Sequence, residues 1–438
     1  MKLLFIENRH KTYFFEAIAN QLADKGYDIY WLTQNKQFSP SNRFKNFIIE
    51  YPSGDLKGYR KDEGVEDVIE SDRQVNYFNK TNTSYFYYYN NKIEKYLNEL
   101  KPDFVFGEST AFHELLVIYN CKKLKILYLN PSTSRFPVGR FSFYKYNTLE
   151  PYRGSKEQLE KEKAMQTINQ VAGREIVPDY MKSISVSDNI KLRDKILKIY
   201  SYFRGEKFNT PHPSLKYKIE QQKQKIIELW DQNAEMEVKE SSFFKVLYPL
   251  QMQPEANIDV WGKKYRNQQN LIQETYEALP KKTVLYIKPN PKSNYELTEE
   301  LISYVAQQEN IKIIHHSVKM DAVLPKIDLV VTVTGTIAIE CILSNKPVVT
   351  LIKTINNLAE NCIYIEDLKE DLKNIISLVE MKEFKILNEQ EKIVFINILN
   401  STSYRGKVSD PFTDKTSVSK ENINDLVIAF DSVIETNE

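Results

Sequence analysis

Val330-Val331-Thr332-Val333-Thr334-Gly335-Thr336-Ile337-Ala338-Ile339-Glu340, followed by Asn345-Lys346-Pro347-Val348-Val349, is the stretch on which the reading of this chain turns. A mostly apolar run breaks into small hydroxylated residues around one glycine, passes into an apolar helical pattern carrying an acid, and ends in a second apolar run. That order spells strand, tight turn, helix, strand. The first N–H groups of a helix lack internal partners and lie at the positive end of its dipole, so such a turn suits an anion. Gly335 would let a phosphate approach the backbone, Thr334 and Thr336 add hydroxyl donors, and Glu340 is placed to bond a ribose hydroxyl. On this stretch alone the plainer reading is a βα turn with a threonine cap; signals upstream favour the site.

Working outward, similar βα units recur. Leu3 to Ile6 reads as a buried strand, Tyr13 to Lys25 as a helix stopped at Gly26, and Tyr27 to Leu32 as a second strand. Phe104 to Phe106 leads through Gly107-Glu108-Ser109-Thr110 into a helix from Ala111 to Cys121 and a strand at Ile126 to Leu129. Such alternation predicts a parallel sheet covered on both faces. Between about 154 and 239 the pattern turns to long charged helices around Phe208-Asn209-Thr210-Pro211-His212-Pro213, read as a helical insert. Alternation resumes at Lys245 to Tyr248 and runs through Val284 to Ile287, Ile311 to Ile314 and Leu329 to Val331, ending near Cys362 to Ile365. The expected division is therefore an N-terminal domain over 1–240, a C-terminal domain over 241–400, and a loop and helix over 401–438 that packs back on the first domain. The aromatic run Tyr85 to Tyr89 reads as a buried face, with a sugar-stacking platform as the alternative.

Composition sets the bounds. At 438 residues two domains are expected. Sixty basic against 59 acidic residues leave a net charge of +1, so no whole-chain field points to nucleic acid or to an anionic surface. Cys121, Cys341 and Cys362 are scattered and odd in number, which argues for a reducing compartment and against disulfides or a zinc site. The apolar run after Met1 is too short for a signal peptide and no stretch approaches a membrane span, so a cytoplasmic location is expected. The sequons at Asn79, Asn82 and Asn400 are then chance matches.

Two open α/β domains facing a cleft would bind ligands at the carboxyl ends of their strands. Four segments fall there. Glu108 follows a strand and could act as a general acid or base, with His113 on the next helix within its reach. After Tyr248, the loop holding Gln251, Gln253, Glu255 and Asp259 offers two carboxylates as nucleophile or base. Lys288-Pro289-Asn290-Pro291-Lys292-Ser293 is a stiff turn whose Lys288, Asn290, Lys292 and Ser293 carry donors suited to phosphate. The fourth is the turn at Thr334, Gly335 and Thr336. Each segment alone could be a solvated turn or a cap. His315-His316 is too little for a metal, since no further ligand stands beside it in sequence.

Taken in order, these segments resemble the bacterial capsule polysaccharide biosynthesis glycosyltransferases, which include the retaining β-Kdo transferases. The resemblance rests on Gly107-Glu108-Ser109-Thr110 with His113-Glu114-Leu115, Pro137 to Phe141, Pro249-Leu250-Gln251 through Glu255, Lys288 to Pro291, and Thr334-Gly335-Thr336 with Glu340 and Lys346-Pro347. It implies a GT-B architecture and a donor such as CMP-Kdo or another CMP-linked nonulosonic acid. CMP would sit on the C-terminal domain, and a glycan or glycolipid acceptor would enter near Glu108, His113 and Arg140. It further implies a nucleophile in the segment Gln251 to Glu255 and an acid/base at Glu108. The chain departs from the pattern at Asn290, where relatives usually carry His; an amide donates to phosphate but brings neither proton nor charge.

The expected function is a glycosyltransferase of capsule or lipopolysaccharide synthesis, acting with retention through a glycosyl-enzyme on Glu255 or Asp259. No metal and no cofactor beyond the nucleotide-sugar donor are expected, nor any nucleic acid. Peripheral association with the inner membrane or with a polysaccharide-synthesis complex stays open. Two rival readings are a teichoic-acid-type glycerol-phosphate transferase using a CDP-linked donor, and a non-catalytic GT-B scaffold.

Overall fold

Short runs of β-branched and aromatic residues, too short for helices and bounded by turn formers, become thirteen strands in two sheets among the described residues. In chain order these are β1 (Lys2–Ile6), β2 (Asp28–Thr33), β3 (Lys45–Ile48), β4 (Phe104–Phe106), β5 (Leu127–Thr133), β6 (Arg140–Lys145), β7 (Phe244–Pro249), β8 (Thr283–Lys288), β9 (Ile311–Ile313), β10 (Leu329–Thr332), β11 (Val348–Thr350), β12 (Cys362–Tyr364) and β13 (Tyr404–Arg405). The computed structural model describes every residue except 54, 55, 57, 59, 60, 177, 179–187, 205, 293, 294 and 436–438.

The first sheet has the order β13-β6-β5-β4-β1-β2-β3 and the second β12-β11-β10-β7-β8-β9. All pairs in the second are parallel. The first is parallel from β5 to β3, but β6 runs antiparallel to β5, and β13 antiparallel to β6. Sequence alternation predicts the parallel part. It misses β6 and β13, because a hairpin return and a two-residue strand leave no βα period.

Two compact units contain these sheets: Met1–Gln158 with Val177–Lys216 and Ile398–Glu438, and Leu159–Ile176 with Tyr217–Asn397. The helical stretch expected within an N-terminal domain is thus shared between them. The helix Lys161–Ala172 buries Ala164, Ile168 and Val171, spaced along one face, against the second unit's helix Ile337–Ser344. Trp230, near the end of the helix Pro213–Asn233, is fully buried and donates its indole N–H to the Ile314 carbonyl at 3.1 Å. Those apolar anchors, invisible as such among the charges around them, decide membership.

The C-terminal helix Lys420–Glu435 belongs to the first unit. Its Phe430 ring lies 6.4 Å from Phe5, 4.8 Å from Phe106 and 4.9 Å from Phe143, touching β1, β4 and β6 at once. The run Tyr85 to Tyr89 lies in the helix Ser84–Leu100, where Tyr85, Phe86 and Tyr89 are buried against neighbours such as Phe112; those three rings are core. No helix among the described residues is long and apolar enough to cross a membrane.

Arg140, expected on the acceptor side, has other partners. Its side chain donates to Ser403 Oγ (2.8 Å), Glu157 Oε2 (2.9 Å), Ser155 Oγ (2.8 Å) and the carbonyls of Asn400 (3.1 Å) and Ser403 (2.8 Å). Burial pulls the guanidinium below its ordinary pKa, and Glu157 opposes that shift. Arg140 therefore ties the segment around β13 to β6. Arg140→Ala should cost about 2–4 kcal/mol through the acceptors it strands. The check is urea denaturation with limited proteolysis, in which the region 398–438 should become cleavable first; unchanged stability with a raised acceptor KM would instead place Arg140 at the acceptor.

Candidate functional site

Crossovers in the second sheet go one way from β7 through β8 to β9, then the other way from β10 to β12, so the reversal lies between β7 and β10. Loops leaving the carboxyl ends of those two strands diverge and leave room for a ligand. Gln251 follows β7 and Thr332 ends β10, and the Gln251 amide donates to Thr332 Oγ1 at 3.1 Å across this point. Gln268, the first residue of the helix Gln268–Ala278, holds the β7 end. Its carbonyl oxygen accepts from Gln251 N (2.8 Å) and the Tyr248 hydroxyl (3.0 Å), and its amide donates to Gln251 O (2.8 Å) and Gln253 Oε1 (3.1 Å). Gln268 was not singled out from sequence, since a helix-start glutamine carries no pattern.

Gly335 sits against this bridge. A Cβ there would lie 3.1 Å from Thr332 Oγ1 and 3.4 Å from Gln251 Nε2, so the glycine accommodates the protein's own polar bridge before any ligand. Thr336 is the N-cap of Ile337–Ser344, and the Thr334 hydroxyl oxygen is buried with no hydrogen-bond partner among the described residues.

Lys288 ends β8, opposite Pro249 of β7. It is almost wholly buried, and among the described residues its ammonium donates to the carbonyls of Pro289 (3.4 Å) and His316 (3.3 Å). Burial, with help from Arg174, lowers its pKa to about 8, while Asp231 works in the other direction. Asn290 accepts from Lys292 N at 2.9 Å, an Asx turn that shapes the segment, and Lys292 itself is exposed. Ser293 lies outside the described residues.

Glu340, expected at a ribose, is paired with Arg174, which also pairs with Asp321. Burial raises the Glu340 pKa and Arg174 opposes it. Asp259 is buried and accepts the Glu255 N–H at 2.9 Å, whereas Glu255 is only half-buried. Of the two expected nucleophiles, Asp259 thus has a turn-holding bond and Glu255 is the more accessible. The fold also corrects the reading of His315-His316: the helix Pro213–Asn233 brings a carboxylate beside them. Asp231 Oδ2 lies 2.5 Å from His316 Nδ1 and 3.5 Å from His315 Nε2, and the two rings stack at 4.9 Å. Ligand atoms of the three lie within 4.8 Å of one another. Asp231 is 84 residues from His315 in sequence, too far for ligand spacing to reveal.

In the first unit the reversal falls between β1 and β4, and two acids meet there. Glu108 follows β4; its oxygens accept from Lys11 Nζ (2.6 Å) and Asn8 Nδ2 (2.9 Å). Asn8 also donates to Glu114 Oε1 at 3.1 Å, and Glu114 accepts from the backbone N–H groups of Glu108 (3.0 Å), Thr110 (3.2 Å) and Ala111 (2.9 Å). Full burial raises the Glu114 pKa, His113 lowers it, and the nearby Glu108 raises it. Glu114 is the acid that shapes the loop, and Glu108 the one left partly open. His113 is buried, with Nε2 2.7 Å from the Glu7 carbonyl, an anchor between β1 and the helix Phe112–Leu124. Lys11 and Asn8 were missed because they follow a different strand, about 100 residues away.

A sequence profile described as "Capsule polysaccharide biosynthesis protein" matches residues 153–359. Over that stretch, a little under half of its length, the chain is similar to the capsule polysaccharide biosynthesis proteins. The match takes in Gln251, Lys288, the Thr334 to Thr336 turn and Glu340, so the switch point of the second sheet lies inside the matched region. No curated protein matches. Solved structures similar to it include the UDP-GlcNAc 2-epimerase of Methanocaldococcus jannaschii (16% identity, covering 91% of this chain and 99% of the other, TM-score 0.27). Others are the KpsC beta Kdo 2,4 transferase of Thermosulfurimonas dismutans (10%, 75% and 87%, 0.31) and MurG of Acinetobacter baumannii (10%, 92% and 96%, 0.28). At these values the likenesses carry no conclusion about chemistry.

The Gln251–Thr332 bridge makes a direct prediction. Thr332→Val and Gln251→Ala should each destabilise the second unit by about 1 kcal/mol, and the double variant by less than their sum. Urea denaturation of the four proteins measures the coupling; full additivity would remove the bridge from the account.

Proposed function

We propose that this protein is a glycosyltransferase of capsule or related surface polysaccharide synthesis, which moves a sugar acid such as Kdo or another nonulosonic acid from a CMP-linked donor to a glycan acceptor with retention. The observation that carries the reading is Lys288. It is a buried ammonium with no carboxylate hydrogen-bonded to it among the described residues, on the strand next to β7 and at the same sheet end as the Gln251–Thr332–Gly335 switch point. A buried cation lacking an acid partner is stabilised by an incoming anion. A donor phosphate there would gain the Lys288 charge and the free Thr334 hydroxyl. In the retaining scheme Glu255 attacks the anomeric carbon as the nucleotide leaves. Glu108, oriented by Lys11 and Asn8, then takes the proton of the acceptor hydroxyl that displaces Glu255.

A second reading gains one specific observation. The teichoic-acid-type transferase would need a histidine at a phosphate, and His316, backed by Asp231, adjoins Lys288 through its carbonyl. Turnover of CDP-glycerol, absent with CMP-linked sugar acids, would select it.

Titration calorimetry with CMP tests the donor site. Lys288 is charged below a pKa of about 8, so affinity should hold below that pH and fall as pH rises through it. The contribution of Lys288 to the stability of the free protein has the opposite sign: the unfolded lysine keeps its proton to higher pH, so stability rises from about pH 8 upward. Lys288→Met should weaken CMP at least about tenfold at pH 7 and abolish that pH dependence; unchanged affinity would refute the site. For the chemistry, Glu108→Gln should retain a donor-derived adduct on Glu255 in intact-protein mass spectrometry, and Glu255→Ala should form none. An adduct on Asp259 would move the nucleophile, and near-normal turnover in both variants would return both acids to structural roles.

A further inference from the structure

The helix Asp188–Phe203 of the first unit is built with its polarity reversed. Its inward face holds Asp194 and Ser201, both buried, while Leu192, Ile196, Ile199, Tyr200 and Phe203 are each between 46% and 70% exposed. At 100° per residue these five fall within an arc of about 100°, one continuous apolar stripe. The orientation is fixed from inside. Asp194 Oδ1 lies 2.9 Å from His10 Nε2, Asp194 also pairs with Lys198, and the His10 ring stacks on Phe412 at 4.4 Å and meets Phe38 edge-on at 5.0 Å. Those bonds favour the charged Asp194 carboxylate and lower its pKa against the effect of burial. Rolling the helix to bury its apolar stripe would pull Asp194 from these partners, so the stripe stays outward.

Charge says what the stripe meets. On the helical wheel Lys191 and Lys195 border it on one side, with the acidic Asp188 beside them, and Arg193 and Arg204 on the other, and all five are exposed. Lys191 has Asp188 at 3.2 Å, whereas the inward Asp194 is already paired. The chain as a whole is close to neutral, so this basic rim is local. A protein partner needs only apolar complementarity to such a stripe, whereas cations on both flanks suit a plane of anionic headgroups above an apolar layer. We infer that the face formed by Leu192, Ile196, Ile199, Tyr200 and Phe203, rimmed by Lys191, Arg193, Lys195 and Arg204, is a docking surface for an anionic phospholipid bilayer. The apolar side chains enter the interface and the basic side chains meet the headgroups. The inference does not depend on the transferase reading.

Co-sedimentation of the full chain with vesicles tests it, comparing phosphatidylcholine alone with phosphatidylcholine mixed with phosphatidylglycerol. The expected result is binding to the mixed vesicles only, weakened by added salt. Lys191→Gln with Lys195→Gln should reduce it about thirtyfold, and Phe203→Glu with Ile196→Glu should abolish it. These positions are exposed, so circular dichroism should confirm that both variants fold as the unaltered chain does. Equal binding to neutral vesicles, or unchanged binding by either variant, overturns the proposal. So does a dimer in light scattering that Phe203→Glu dissolves in the absence of lipid binding, since the stripe would then be a contact between copies.

Discussion

A parallel strand reaches its neighbour only through a crossover, and each sheet of this protein changes the direction of its crossovers once. The candidate site residues of both units gather at those two reversals. At each, loops leave adjacent strands in opposite directions. Side chains fill the gap, Gln251 to Thr332 with Gln268 behind them in one unit, and Asn8 to Glu108 and Glu114 in the other. These amide bridges tie together loop ends that follow different strands.

Much of the architecture was legible in the sequence. β1, β4 and β10 can be read to within a residue, because a short buried apolar run between turn formers has few other uses. The edge of the first sheet was not, since β6 and β13 depend on a hairpin and on Arg140, whose partners lie near residues 155 and 403. Helix ownership in the stretch 154–239 was also hidden. A few anchors such as Trp230 and Ala164 decide it, amid residues that read only as charged helix.

The site was legible as positions and illegible as partnerships. Local spacing finds Glu108, Gln251, Lys288 and Gly335, because each follows or ends a strand. It cannot show that Glu340 faces Arg174 from a distant turn, that Asp231 completes a group with His315 and His316, or that Arg140 and His113 are held inside the first unit. Charge balance separates these cases. Glu340 has its counter-ion and Glu114 its N–H donors, while among the described residues the buried Lys288 ammonium is hydrogen-bonded to backbone carbonyls and to no carboxylate.

The helix Lys420–Glu435 closes the first core by setting Phe430 on β1, β4 and β6. On the ribosome this imposes an order of events. The second unit, complete by residue 397, can fold while the first still exposes the apolar face of β1, β4 and β6 that Phe430 will cover. The first part of the chain to be made is therefore the last to finish, and its open face is the surface that a chaperone would meet during synthesis.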